Sequence, residues 1–156
     1  MRTMRQKYKF VVVALLCLLG AIMSGTGAAA EQIRWHGYDK GVALGKEQQK
    51  KVLIHFYANW CGFCRKMAKA TFENREIISY VNKYFIAVRV NIDKNRALSS
   101  RYRVRGVPAT WFLRETGEKI DQIPGFVPPE RFLPVLKQIA GIPAETKQNK
   151  AENQNL

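Results

Sequence analysis

The chain has 156 residues, of which 47% are hydrophobic, 11% aromatic and 24% charged. That is enough for one domain with a real core, and it excludes fibrous, wholly disordered and multidomain chains. Lys and Arg number 26 against 12 Asp and Glu, a formal net charge of +14, which suggests nucleic acid as a partner until the charge has been located.

Residues 1–9 hold Arg2, Arg5, Lys7 and Lys9 with no acid, residues 10–23 carry no charge, and small residues follow up to Ala28-Ala29-Ala30. This pattern reads as a secretory signal peptide over 1–30, cleaved after Ala30. The apolar run is 14 residues, short of the roughly 18 of a membrane-spanning helix. Counting the small residues as well gives the other reading, an uncleaved anchor on the outer face of the inner membrane. Cys17 lies inside the apolar run behind Leu16, too large for a lipidation signal, and is discarded with the leader. Without residues 1–30, which hold four basic and no acidic side chains, 126 residues and a net charge of +10 remain. An exported, periplasmic chain of this kind is not a nucleic-acid regulator. Its charge faces acidic protein partners or an anionic envelope, or is a solvated basic surface without a specific partner.

The mature chain is expected to form a domain over 31–142. Residues 33–35 read as a short strand and 39–49 as a polar surface helix with Val42 and Leu44 as sparse apolar positions, closed by Lys51. Residues 52–57 (VLIHFY) are almost continuously apolar, β-branched or aromatic, as in a central strand covered on both faces. Residues 65–70 and 74–84 predict a helix kinked near Thr71-Phe72, with Met67, Ile77, Ile78 and Val81 inward. Residues 85–90 form the next strand, and 95–102 a short helix capped by Asp93 or Asn95. Residues 110–113 and 119–123, joined by a turn at 115–118, predict a hairpin. Pro128-Pro129-Glu130 opens a last helix to Ile139 with Phe132, Leu133, Val135, Leu136 and Ile139 on its buried side, and 143–156 is a disordered polar tail. Alternating strands and helices imply an α/β fold with a parallel core.

Two cysteines remain, Cys61 and Cys64. A disulfide across so short a loop removes little chain entropy, so redox chemistry explains the pair better than stabilisation does. Following a buried strand and opening a helix, Cys61 would feel the positive end of the helix dipole, which lowers a thiol from about 8.5 toward roughly 3.5–7.5. Cys61 is therefore the expected nucleophile and Cys64 the resolving thiol. Haem attachment is excluded by Arg65 in the place of the required histidine. A zinc site would have to recruit His36 and His55, which form no second paired spacing, so no metal is expected.

The segment from Phe56 through Trp60, Cys61, Gly62, Phe63 and Cys64, together with Gly106-Val107-Pro108-Ala109-Thr110 and Gly125, resembles the thioredoxin superfamily over residues 52–140. Lys66-Met67 and Thr71-Phe72 are similar to the periplasmic group typified by the C-terminal domain of the thiol:disulfide interchange protein DsbD. The resemblance implies a thioredoxin fold, a central mixed β-sheet flanked by helices on both faces, and no bound cofactor. It also implies a cis Pro108 beside Cys61, with Val107 offering its backbone to a substrate strand. Trp60 would flank the reactive sulfur as a contact surface or serve as a structural aromatic. His55 stands where the family carries a buried aspartate, and Ala68 where the DsbD domain has a glutamate. His55 is either a cationic modulator of the Cys61 thiolate or a neutral core histidine bonded to backbone. Arg101, Arg103 and Arg105, with Arg65, Lys66 and Lys69, would gather positive charge around the active face or be simply solvated.

The activity implied is protein-disulfide exchange in the reducing direction, on client proteins with disulfides or thiols, driven by a membrane-embedded thiol donor. An oxidase or isomerase and a redox-silent peptide-binding module are the competing readings. A monomer is the simplest oligomeric state.

Overall fold

Five strands form one sheet in the order β1-β3-β2-β4-β5, and the computed structural model in which they are seen describes residues 31–141. The leader, Cys17 and the polar tail lie outside the described residues. The strands are β1 (Trp35–His36), β2 (Lys51–Tyr57), β3 (Phe85–Asn91), β4 (Ala109–Leu113) and β5 (Lys119–Pro124). The helices are α1 (Tyr38–Glu47), α2 (Gly62–Ala70), α3 (Arg75–Tyr84), α4 (Arg96–Arg101) and α5 (Pro129–Ala140). β1, β3 and β2 run parallel, while β4 and β5 are antiparallel, giving the mixed sheet of a thioredoxin fold. Among the described residues no helix is long and apolar enough to cross a membrane.

The continuous apolar run places β2 at the centre, with β3 on one side and β4 on the other. Its alternate residues supply two cores. Val52, Ile54 and Phe56 face Val88, Val90 and Tyr102 beneath α1 and α4. Leu53 faces Met67, Ile77, Val81, Phe112, Phe132 and Leu136 beneath α2, α3 and α5. Phe112 and Phe132 are wholly buried, each contributing about 1.5–3 kcal/mol of apolar transfer.

Several local details were not foreseen from the sequence. The first strand is shorter than predicted, because Arg34 N–H donates to Asn82 Oδ1 at 3.1 Å and the Asn82 amide donates to Gln32 O at 2.9 Å; a side chain takes the place of a ladder partner. Helix α1 lies on the sheet through Gly41 and Gly45. A Cβ on Gly41 would collide with Val88 Cγ2, and one on Gly45 would come within 2.5 Å of Val52 Cγ2. The single kinked helix is instead two helices. Thr71, the C-cap of α2, donates its hydroxyl to Val127 O at 2.6 Å, and Asn74 caps α3 by accepting from Glu76 and Ile77 N–H. Asn95 occupies the N-cap position of α4, but its side chain makes no cap bond and instead donates its amide to Asn91 O at 3.0 Å, while Asp93 accepts from Trp60. On α5 only Phe132 and Leu136 are fully buried, with Leu133, Val135 and Ile139 packed at the edge.

Candidate active site around Cys61 and Cys64

The end of β2 delivers Ala58, Asn59 and Trp60 to the start of α2, where Cys61 is the N-cap residue in an extended conformation. Its Sγ accepts the Cys64 N–H at 3.0 Å, so the sulfur takes the role that a hydroxyl or carboxylate oxygen plays at other helix starts. An amide donor and the positive helix end both favour negative charge on that sulfur. Cys61 and Cys64 form a disulfide with Cα atoms 5.2 Å apart, and both are buried, at 5% and 3% exposure.

Across from the pair, the Val107–Pro108 peptide bond is cis and the Val107 carbonyl oxygen lies 3.5 Å from Cys61 Sγ. Proline supplies no N–H, and the Val107 N–H has no hydrogen-bond partner among the described residues. The loop is pinned from behind by Gly125 N–H donating to Pro108 O at 2.8 Å, with Gly125 at φ +79, a backbone conformation that favours glycine.

Among the described residues Trp60 and Phe63 are the large exposed apolar side chains, at 67% and 64% exposure, and they flank the disulfide. Trp60 is thus no core filler. Its indole N–H donates to Asp93 Oδ2 at 3.1 Å, and Asp93 is in turn placed by Asn91, whose Oδ1 accepts the Asp93 N–H at 2.9 Å. The Asn91 amide donates to Asn59 Oδ1 at 3.3 Å, and Arg65 donates to Asn59 O at 2.9 Å. This polar brace at the ends of β2 and β3 is the part of the site that reading the sequence missed. Its signal was present: Asn91 ends, and Asp93 closely follows, a strand buried almost throughout.

His55 lies on β2 opposite Arg89 and Thr110, fully buried. Phe72 packs edge-on against it at 4.8 Å, Tyr57 stacks at 6.3 Å and Trp35 lies at 6.2 Å between ring centroids. Among the described residues neither ring nitrogen has a hydrogen-bond partner, nor does the neighbouring Thr110 hydroxyl. Burial, assisted by the positive charge of Arg89, lowers the His55 pKa from 6.5 to about 3. Burial and Arg89 thus favour the neutral ring over the charged one at physiological pH.

The basic residues separate. Arg103 and Arg105 line a groove with Val107 and Pro108. Arg65 is held on Asn59, the Lys66 ammonium sits 4.8 Å over the Phe126 ring, and Arg101 stands on α4 with its carbonyl accepting from Lys119.

A two-cysteine disulfide at the start of the helix after a central strand, facing a cis-proline loop, defines the thioredoxin-fold disulfide oxidoreductases. The family model described as a thioredoxin-like domain matches residues 38–140, and the chain belongs to that family. It is 35% identical over 88 residues to a thioredoxin of Mycoplasmoides gallisepticum, covering 56% of this chain and 83% of that one. It is 32% identical over 94 residues to the thiol:disulfide interchange protein DsbD of Neisseria meningitidis, covering 58% of this chain but 16% of that protein. A thioredoxin from Thermus thermophilus superimposes with a TM-score of 0.65 at 25% identity, over 69% of this chain and 87% of that one. The C-terminal domain of Neisseria meningitidis DsbD in its reduced form does so at 0.57 and 25% identity, over 64% and 90%.

Proposed function

We propose that this protein is a periplasmic thiol:disulfide oxidoreductase that reduces disulfides of client proteins, with Cys61 as attacking thiolate and Cys64 as resolving thiol. The reading rests above all on the Cys61 sulfur, which caps α2 while lying 3.5 Å from the carbonyl of the residue before the cis-proline. A client strand running past Val107 would find a free N–H and a carbonyl with no competing donor from Pro108, as in strand addition at a sheet edge. Its disulfide sulfur then meets Cys61, a mixed disulfide forms, and Cys64 displaces the client thiol. Trp60 offers an apolar wall to that strand. A membrane-embedded thiol donor resets the pair, and export through the leader at 1–30 puts the protein where such a donor and such clients meet. Similarity to the DsbD C-terminal domain favours the reducing direction.

Replacing Cys61 by serine is expected to abolish exchange, and replacing Cys64 by serine to accumulate a covalent client adduct. The direction is tested by equilibrating the pair against glutathione. A potential near roughly −270 mV supports a reductase, and one near roughly −120 mV makes the protein an oxidant. Binding of clients that survives loss of both cysteines would support the redox-silent peptide module instead.

A further inference from the structure

We propose that the groove beside the cis-proline selects client segments that carry carboxylates close to the reacting cysteine. This inference rests on the exchange reading above and names its substrate class. The groove has a volume of about 560 Å³ and runs from Arg103 past Val107 and Pro108 to Gly125. Its floor is apolar, from Val107, Trp111 and Pro124, and its charged side chains are Arg103 and Arg105, with no carboxylate among the residues that line it. Both arginines are exposed, and the one ion pair among the described residues joins Arg114 to Glu118, so neither guanidinium pairs with an acid among the described residues.

The backbone aims this charge at the site. At the end of α4, Arg103 N–H donates to Ser100 O and Val104 N–H to Ser99 O, both at 2.9 Å, and Arg103 takes a left-handed φ of 50° that turns the chain back toward the sheet. Arg105 follows two residues before Val107. The stretch from Arg103 to Val107 can span at most about 14 Å. An extended client strand rises about 3.3 Å per residue, so side chains within three or four residues of its cysteine come within reach of the two guanidiniums. Guanidinium and carboxylate match as planar, two-point hydrogen-bond partners. Because both arginines are exposed, their effect falls mainly on encounter and register, and it is screened by salt.

The reaction that reads this selection is balanced by the dithiol of the pair itself. The Cys61 thiolate attacks the peptide sulfur of a peptide–aryl disulfide, forming a Cys61–peptide disulfide and expelling the aryl thiolate. The Cys64 thiolate then attacks Cys61 sulfur, closing the Cys61–Cys64 disulfide and releasing the peptide thiolate. Two electrons pass from the protein dithiol to the peptide–aryl disulfide.

The test uses the full-length protein, reduced with dithiothreitol and freed of excess. Three peptides differ only in having three Glu, three Gln or three Lys around one cysteine linked to thionitrobenzoate, and release of the coloured thiolate is followed. At low salt the Glu peptide is expected to react about 10-fold faster than the Lys peptide, with Gln between them. At 1 M salt, where the screening length is about 3 Å, the ratio should fall below about 2-fold. Arg103→Gln with Arg105→Gln, or Arg105→Gln alone, should lower the Glu-to-Lys ratio toward one. Arg131→Gln, the same charge change on α5 outside the groove, should keep it. Equal rates for the three peptides with rapid turnover would overturn the charge selection and leave the exchange reading standing. An unchanged ratio in the groove variants would do the same. No release from any peptide would overturn the exchange reading and this inference with it.

Discussion

The indole N–H of Trp60 donates to Asp93 Oδ2 at 3.1 Å, across 33 residues of sequence, and holds a side chain that is 67% exposed in one orientation beside the Cys61–Cys64 disulfide. An exposed aromatic left without that bond would sample several rotamers, and its surface would be a poorer guide for a client strand. Asp93→Ala should therefore slow peptide exchange by about 2- to 10-fold, the equivalent of one hydrogen bond to a charged group or less. Asp93→Asn keeps an acceptor oxygen and should restore most of the rate. The Trp60 indole resonance in NMR checks the cause, since it should lose its distinct shift in the alanine variant and keep it in the asparagine one.

Neutral, unpartnered His55 makes stability depend on pH. The unfolded chain takes up a proton near pH 6.5, whereas the folded chain resists it down to about 3. The contribution of His55 to stability is thus fully present above pH 6.5 and is lost as pH falls toward 3, at no more than about 1.4 kcal/mol per pH unit. His55→Leu removes the titration and both orphaned nitrogens. Its urea midpoint should equal or exceed that of the wild type at pH 8 and should drop less between pH 8 and pH 5. An identical drop in the two proteins would disprove the assignment. Thiolate absorbance of reduced Cys61 at fixed pH should not change in this variant, because a neutral ring exerts no net charge on it.

Helix α1 approaches β3 and β2 through hydrogens where other helices present methyl groups. Gly41→Ala should cost about 1–3 kcal/mol of overpacking, because the new methyl meets Val88 Cγ2 on a strand packed from both sides. Val88→Ala in the same chain should recover part of that loss. Urea midpoints of the single and double variants measure it, and purely additive losses would refute the contact.

Asn91 is 7% exposed and serves three partners, accepting from Asp93 N–H and, at 3.4 Å, from Lys94 N–H, and donating to Asn59. Asn91→Ala leaves these groups without their partner and should destabilise the fold by about 1–3 kcal/mol. The same substitution should raise the hydrogen-exchange rate of the Asp93 and Lys94 amides, and unchanged protection there would refute the brace.

Much of the scaffold was legible because it is written in local pattern. The apolar run of β2, the hairpin with Gly117 at φ +91 and the Pro-initiated α5 all follow from neighbours within a few positions. The placement of Cys61 at a helix start after a buried strand follows in the same way, since a strand end and a helix cap are both short-range decisions. Helix α1 is the surface helix its polar composition implied, with Val42 and Leu44 packed on the core, but the close approach through Gly41 and Gly45 was hidden, because a residue without a side chain carries no hydropathy signal.

Burial periodicity, turn chemistry and the spacing of two cysteines need only the chain itself, because the forces behind them act within one turn or one pleat. Pairings between distant residues wait for the strand order. Trp60 with Asp93 and Arg34 with Asn82 are separated by 33 and 48 residues. Composition offers each polar group many partners, and only the fold selects among them. The same holds for charge: six basic residues were candidates for the active face, and the left-handed turn at Arg103 and the cis-proline loop select Arg103 and Arg105 for the groove. His55 shows the difference most plainly. Its identity is local, but its neutrality comes from three aromatic rings and Arg89 brought together from three strands and the turn at Phe72, which only the folded chain assembles.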